Sequence, residues 1–158
     1  MDKTLTHLAP GGEARMVDVS GKEPTLRRAL AEGYVQMAAA TFTALRDHTG
    51  PKGEVLSVAR IAGIQAAKRT GELIPLCHPL PLEQVTVDFE LIAPDRLRIL
   101  ATAVITAKTG IEMEAYTAVC VAALTVIDML KAIDPAMIIT GVRLLEKTGG
   151  KQHYRAEK

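Results

Sequence analysis

Between Val85 and Ile105 apolar and polar positions alternate in two runs. Val85, Val87, Phe89 and Leu91 are interleaved with Gln84, Thr86, Asp88 and Glu90, and after Ala93-Pro94-Asp95 the alternation resumes at Leu97, Ile99, Ala101, Ala103 and Ile105. A period of two puts each set on one face of a strand, which predicts an antiparallel hairpin with one face buried. Elsewhere the period lengthens. Val55, Val58, Ala59, Ile61, Ala62, Ile64 and Ala66 recur at helical spacing up to Lys68-Arg69-Thr70-Gly71, as on a helix with one apolar face. Thr109-Gly110-Ile111-Glu112 has the spacing of a capping box and precedes an apolar run to Ile133, which Asp134-Pro135 must stop. That predicts a helix of about 23 residues, roughly 34 Å long.

The stretch from Pro24 to Asp47 fits two periods, and we assign a strand over 26–36 followed by a helix. Met137 to Leu145 reads as a last strand with Gly141 inside it. Leu73 to Pro81 carries Pro75, Pro79 and Pro81; each fixes φ and removes a donor, which predicts a stiff, extended connection. The order strand, helix, helix, strand, strand, helix, strand describes a ferredoxin-like α+β sandwich, an antiparallel sheet with helices packed on one face. The alternative is a helix-dominated fold with a single hairpin. Residues 1–13 read as a flexible arm, 14–151 as a single domain and 152–158 as a flexible tail.

Composition narrows the function. Hydrophobic residues make up 48% and charged residues 23%, so a chain of this length has enough apolar surface for one core without disulfides. Aromatics are only 3%, too few for the stacking platforms of single-strand nucleic-acid binders. A formal charge of +1 argues against a generally basic surface for duplex phosphates, so anion recognition must be local. Neither a leader-like apolar region at the start nor a membrane-length apolar run stands out. Cys77 and Cys120 are isolated from each other and lack metal-ligand spacing, and a cytoplasmic setting is expected.

On the long helix Glu114, Thr117, Val121, Thr125, Asp128 and Lys131 fall within about a third of the circumference. Nearly everything around them is apolar, more than one sheet face can cover, so part of the helix is expected to pack against another subunit. Asp128 and Lys131 are spaced to pair across one turn, either as a solvated ion pair or as an acid–base pair held in partial burial. Glu114 fits dipole compensation as well as ligand binding. Lys52-Gly53, Lys108-Thr109-Gly110, Lys68-Arg69 and Lys147-Thr148-Gly149-Gly150-Lys151 are candidate anion ligands at element ends. The last lacks the spacing of a P-loop.

Taken together, Lys52-Gly53, Ala59 to Ile64, Ala67 to Thr70, Leu73 to Pro79, Lys108 to Gly110 with Glu112 to Ala115, Asp128-Met129-x-Lys131-Ala132 and Arg143 to Lys151 closely resemble the cyclic pyranopterin monophosphate synthase family of molybdenum-cofactor biosynthesis. The resemblance runs in order from Met16 to Lys151. It implies a cytoplasmic lyase that rearranges a cyclised dihydro-GTP into a tricyclic pyranopterin with a cyclic phosphate, releasing pyrophosphate. It also implies a ferredoxin-like fold and a homohexamer, a trimer of dimers, with sites at subunit interfaces. By resemblance Asp128, Lys131 and Lys52 are catalytic, and Leu76, Cys77, His78, Met113 and Glu114 bind the GTP-derived substrate. Lys68, Arg69, Lys108 and Lys147 would neutralise its triphosphate, with His78 donating to phosphate or sugar oxygens. Magnesium on the phosphates is compatible with this chemistry, but no carboxylate cluster resembles a dedicated metal cage. No nucleic-acid or membrane partner is expected. Two other readings share the topology: a regulatory module that binds a small anion without chemistry, and an RNA-binding sandwich, which the missing strand aromatics disfavour.

Overall fold

The computed structural model describes residues 11–157; of the arm expected over 1–13, residues 1–10 lie outside the described residues. The elements are β1 (Thr25–Gln36), α1 (Ala39–Arg46), α2 (Val55–Lys68), α3 (Thr70–Leu73), β2 (Gln84–Ile92), β3 (Arg96–Ala107), α4 (Glu112–Leu130), β4 (Ile138–Thr148) and β5 (Tyr154–Arg155). The strands form one antiparallel sheet in the order β2-β3-β1-β4-β5. The predicted α+β sandwich is the observed fold, with α2 and α4 against one face of the sheet.

Small residues set the depth of that packing. Ala31 sits opposite Ala101 on one side and Leu144 on the other, and Ala29 sits opposite Ala103. Across from them α4 buries Ala115, Ala118, Ala122 and Ala123. Two glycines bring the layers closer still. A Cβ on Gly33 would lie 2.6 Å from the Val119 side chain, and one on Gly63 would lie 2.8 Å from the Ala118 carbonyl oxygen. Helix α4 is therefore seated on β1 through the Val119 side chain and on α2 at backbone contact, and interiors packed this tightly transmit any added volume as strain. Tyr116 ties it to a third element, its hydroxyl accepting from the Leu144 N–H at 2.8 Å.

Several expectations change. Among the described helices α4 has the length and hydropathy of a membrane span, contrary to the reading of the sequence, but more than half of its apolar window is buried inside the protein. It spans 19 residues, and Lys131 is its C-cap. The capping box does not form. The N-cap is Ile111 with no side-chain cap, and Glu112 instead accepts from Lys147 on β4, because a cation held nearby outcompetes a local backbone N–H. The proline stretch is extended only from His78 onward; before it, Cys77 N–H donates to the Ile74 carbonyl and closes a turn. Strand β4 runs on through Lys147 to Thr148, three residues beyond the predicted end at Leu145. The tail then returns as a strand, since Gly149 and Gly150, at φ +89° and +71°, reverse the chain where L side chains are disfavoured, and Tyr154–Arg155 pairs with β4.

The outer face of the sheet holds one buried carboxylate. Glu32, 1% exposed, accepts from Arg98 at 2.6 Å, Arg143 at 2.7 Å and the Tyr34 hydroxyl at 3.1 Å. Burial alone would raise its pKa, but these hydrogen bonds outweigh it and hold the group below the ordinary glutamate value.

Gly63→Val tests the close packing. Threading a β-branched side chain into the α2–α4 contact is expected to cost at least about 2 kcal/mol, measured as a lowered urea midpoint without a change in slope. An equally small valine tolerance at an exposed α2 position such as Gln65 would show that helix propensity alone is responsible.

Candidate active site

The loop after α3, the first turn of α4 and the segment before β1 enclose a hollow of about 370 Å³. Leu76, Cys77, His78, Met113, Glu114 and Lys147 line it together with Val17, Lys22, Arg27 and Glu112. It opens into a groove of about 660 Å³ bordered by Lys22, Arg27, Lys108, Lys147, Gly149, Gly150 and Lys151. Both volumes suit a small-molecule ligand. The groove carries five cations, and the hollow ends at a carboxyl group.

That carboxyl is Glu114. It is 3% exposed, and its Oε2 has no hydrogen-bond partner. Burial, with Glu112 adding a like charge, pushes it up to about 7. A buried polar atom without a partner is costly and invites a ligand that supplies one. The Cys77 thiol beside it is pushed up by burial and by the Glu114 charge, the opposite of what a nucleophilic thiolate requires. Met113, adjacent on the first turn, is 38% exposed. The segment before β1 crosses the hollow as a strap. His78 Nε2 donates to the Val17 carbonyl at 2.8 Å, and Lys108 Nζ donates to the Ser20 carbonyl at 2.8 Å.

The second cluster lies at the other end of α4. Asp128 takes Lys131 on Oδ1 at 2.7 Å and Lys52 on Oδ2 at 2.9 Å. Lys131, then Lys52, hold its carboxyl down to about 2, so at neutral pH it is an anion flanked by two ammonium donors. Lys52 gets there through the turn at Gly53, whose φ is +83°. All three side chains are about half exposed. Fourteen residues separate Asp128 from Glu114, about 21 Å along the helix.

Of the residues expected in the site, the structure gathers Leu76, Cys77, His78, Met113, Glu114 and Lys147 in the hollow and Lys108 in the groove. Asp128, Lys131 and Lys52 form their own cluster. Lys68 borders a separate hollow with Gly71, Glu72 and Pro79–Pro81, and Arg69 is exposed and lines none of these. The stripe of six helix positions divides as well: Glu114 and Thr117 are buried, whereas Asp128 and Lys131 face solvent. Val17, Lys22 and Arg27 were missed. Arg27 carried a signal, because it sits in register with Ile105, on the inward phase of a strand whose next inward residues are apolar. Among the described residues no group of three or more His, Cys, Asp and Glu is placed to hold a metal ion.

An antiparallel α+β sandwich whose long helix carries a buried carboxyl at one end and a lysine-flanked aspartate at the other defines a small-molecule site with acid–base groups. The chain belongs to the MoaC family, whose model it matches over residues 16–150. It is 60% identical over 155 residues to cyclic pyranopterin monophosphate synthase 3 of Mycobacterium tuberculosis and of Mycobacterium bovis, covering 98% of this chain and 88% of each relative. It is 57% identical over 147 residues to cyclic pyranopterin monophosphate synthase of Novosphingobium aromaticivorans, covering 93% of both chains.

The raised Glu114 value has a consequence for stability. A folded-state value near 7 stands above the ordinary 4.5, so the fold prefers the neutral carboxyl. Its stabilising contribution is complete below about pH 4.5 and is lost as pH rises through about 7. Glu114→Gln is expected to be more stable than wild type at pH 8, on the order of 2 kcal/mol, and nearly equal to it at pH 4.5. Urea unfolding of both proteins across that range checks it.

Proposed function

We infer that this chain is a cyclic pyranopterin monophosphate synthase, a lyase that converts (8S)-3',8-cyclo-7,8-dihydroguanosine 5'-triphosphate into cyclic pyranopterin monophosphate and diphosphate. The observation that carries the reading is the continuity of a five-cation groove with a hollow ending at the Glu114 carboxyl, whose Oε2 has no hydrogen-bond partner. A triphosphate fits the groove, and the N–H edge of a guanine-derived ring supplies what Glu114 lacks.

The chemistry has two parts. Opening one ring and closing another moves protons on and off nitrogen and carbonyl carbon. The Asp128 carboxylate is suited to accept them and Lys131 and Lys52 to donate them. Forming the cyclic phosphate joins a substrate hydroxyl oxygen to the α-phosphorus while the bond from that phosphorus to the bridging oxygen breaks. The pyrophosphate leaves with its charge balanced by groove cations.

Both parts act on one small ring system, yet Glu114 and Asp128 stand about 21 Å apart on one rigid helix. A complete site therefore takes the hollow from one subunit and the Asp128 cluster from another. Exposed apolar residues near that cluster, Leu124 and Ile133 among them, give a second copy a surface to cover. This supports a homo-oligomer, the homohexamer of the resemblance. The two free cysteines suit a reducing, cytoplasmic compartment.

Supplying the cyclised dihydro-GTP should give pterin product and pyrophosphate. Asp128→Asn is expected to lower kcat by roughly 10²-fold or more; turnover at the wild-type rate would sink the assignment of the base. Co-refolding equal amounts of Asp128→Asn and Glu114→Ala chains should restore about a quarter of wild-type activity, the share of sites in which both halves are intact. No recovery beyond the separate variants would place both groups in one chain's site.

A further inference from the structure

His78 lies in the hollow, but one of its two ring nitrogens is already committed. Nε2 is 2.8 Å from the Val17 carbonyl oxygen. A carbonyl only accepts, so Nε2 carries the proton, and in the neutral ring Nδ1 keeps its lone pair. Nδ1 has no hydrogen-bond partner among the described residues. Pro79 follows His78 and the Cys77–Ile74 turn precedes it, which fixes the backbone from which the ring projects.

The segment that follows Val17 is tied at three points. Three residues on, the Ser20 carbonyl accepts from Lys108 Nζ, the Ser20 N–H donates to Asp18 Oδ1 at 2.8 Å, and Lys22 N–H donates to the Val19 carbonyl at 3.1 Å. A segment with that many fixed points positions a ring as a second-layer group positions a metal-ligating histidine.

We propose that the Met16–Ser20 segment is a positioning strap whose Val17 carbonyl sets His78 as the Nε2–H tautomer, so that His78 meets its ligand through Nδ1 as a hydrogen-bond acceptor. The partner is then a ring N–H or a sugar O–H, and not a phosphate oxygen, which would need a donor. The five groove cations already serve the phosphates. His78 and Glu114 instead define the end of the site that reads the heterocycle and sugar, with the phosphate chain pointing away from them towards Gly149-Gly150 and Lys151. The choice of ligand rests on the synthase reading above; the tautomer does not.

The tautomer is measured on the ligand-free, full-length chain labelled with 15N. Long-range 1H–15N correlation spectra, recorded above the pH at which the ring titrates, report each nitrogen separately, and His78→Asn assigns the signals by their loss. A bare Nδ1 and a protonated Nε2 in a single tautomer are expected. A protonated Nδ1, or a ring exchanging between both forms, overturns the proposal. Asp18→Ala, which releases the strap's turn, should bring in the second tautomer; an unchanged spectrum removes the strap from the account.

With substrate, His78→Asn keeps an acceptor oxygen at the Nδ1 position, whereas His78→Gln places its amide at the Nε2 position. Gln is expected to raise KM about tenfold and Asn less than about threefold. The reverse order would overturn the acceptor role. Failure to convert the substrate at all would defeat the synthase reading while leaving the tautomer result standing.

Discussion

The contact between α4 and its neighbours, where Gly33 admits the Val119 side chain and Gly63 the α4 backbone, governs the rest of the molecule. A helix pressed this closely against a sheet and a second helix has no freedom to slide or rotate, because interiors at crystal-like density do not yield by small steps. Its length then acts as a fixed spacer. One end delivers Glu114 into a hollow, the other delivers Asp128 to the surface, and the separation between them follows from helical rise alone. Ten buried residues hold α4 in place, so the position of both acid groups is guaranteed by the core and not by loops.

The two acids are the same functional group set to opposite tasks by surroundings. Glu114 is buried without a cation, and desolvation raises it towards neutrality. Asp128 is open to water between two lysines, and they hold it ionised. Separating the protonation states of two carboxyls by environment is the general means by which one fold supplies both a donor and an acceptor near neutral pH. The groove cations belong to a third environment at loop and strand ends, where Lys147 donates to Glu112, Lys108 to the Ser20 carbonyl and Arg27 to the Ala107 carbonyl.

Much of this was readable from pattern. The β2–β3 hairpin and the α2 periodicity follow from spacing, since period two and period 3.6 are imposed by backbone geometry. The Asp128–Lys131 pair was readable too, because i and i+3 always meet on a helix. Other features were not. Glu112 looked like half of a capping box, yet Lys147, 35 positions away, takes it. Lys68 and Arg69 looked equivalent to Lys108, yet the direction in which α2 ends turns them away from the groove. Arg27 gave a sign that went unused, a charge on the inward phase of an apolar strand, explicable only when strand ends open onto a hollow.

The amino-acid sequence alone determined the main strands and helices, their order and the Asp128–Lys131 pair, because those depend on backbone period and on neighbours within a turn. Tertiary structure decided which distant groups share a space. It placed the Val17 carbonyl on His78 and Lys52 on Asp128, and it left Glu114 Oε2 without a partner. Each of these depends on how the layers pack, and packing is settled by contacts between residues far apart in the chain, whose separation no local pattern records.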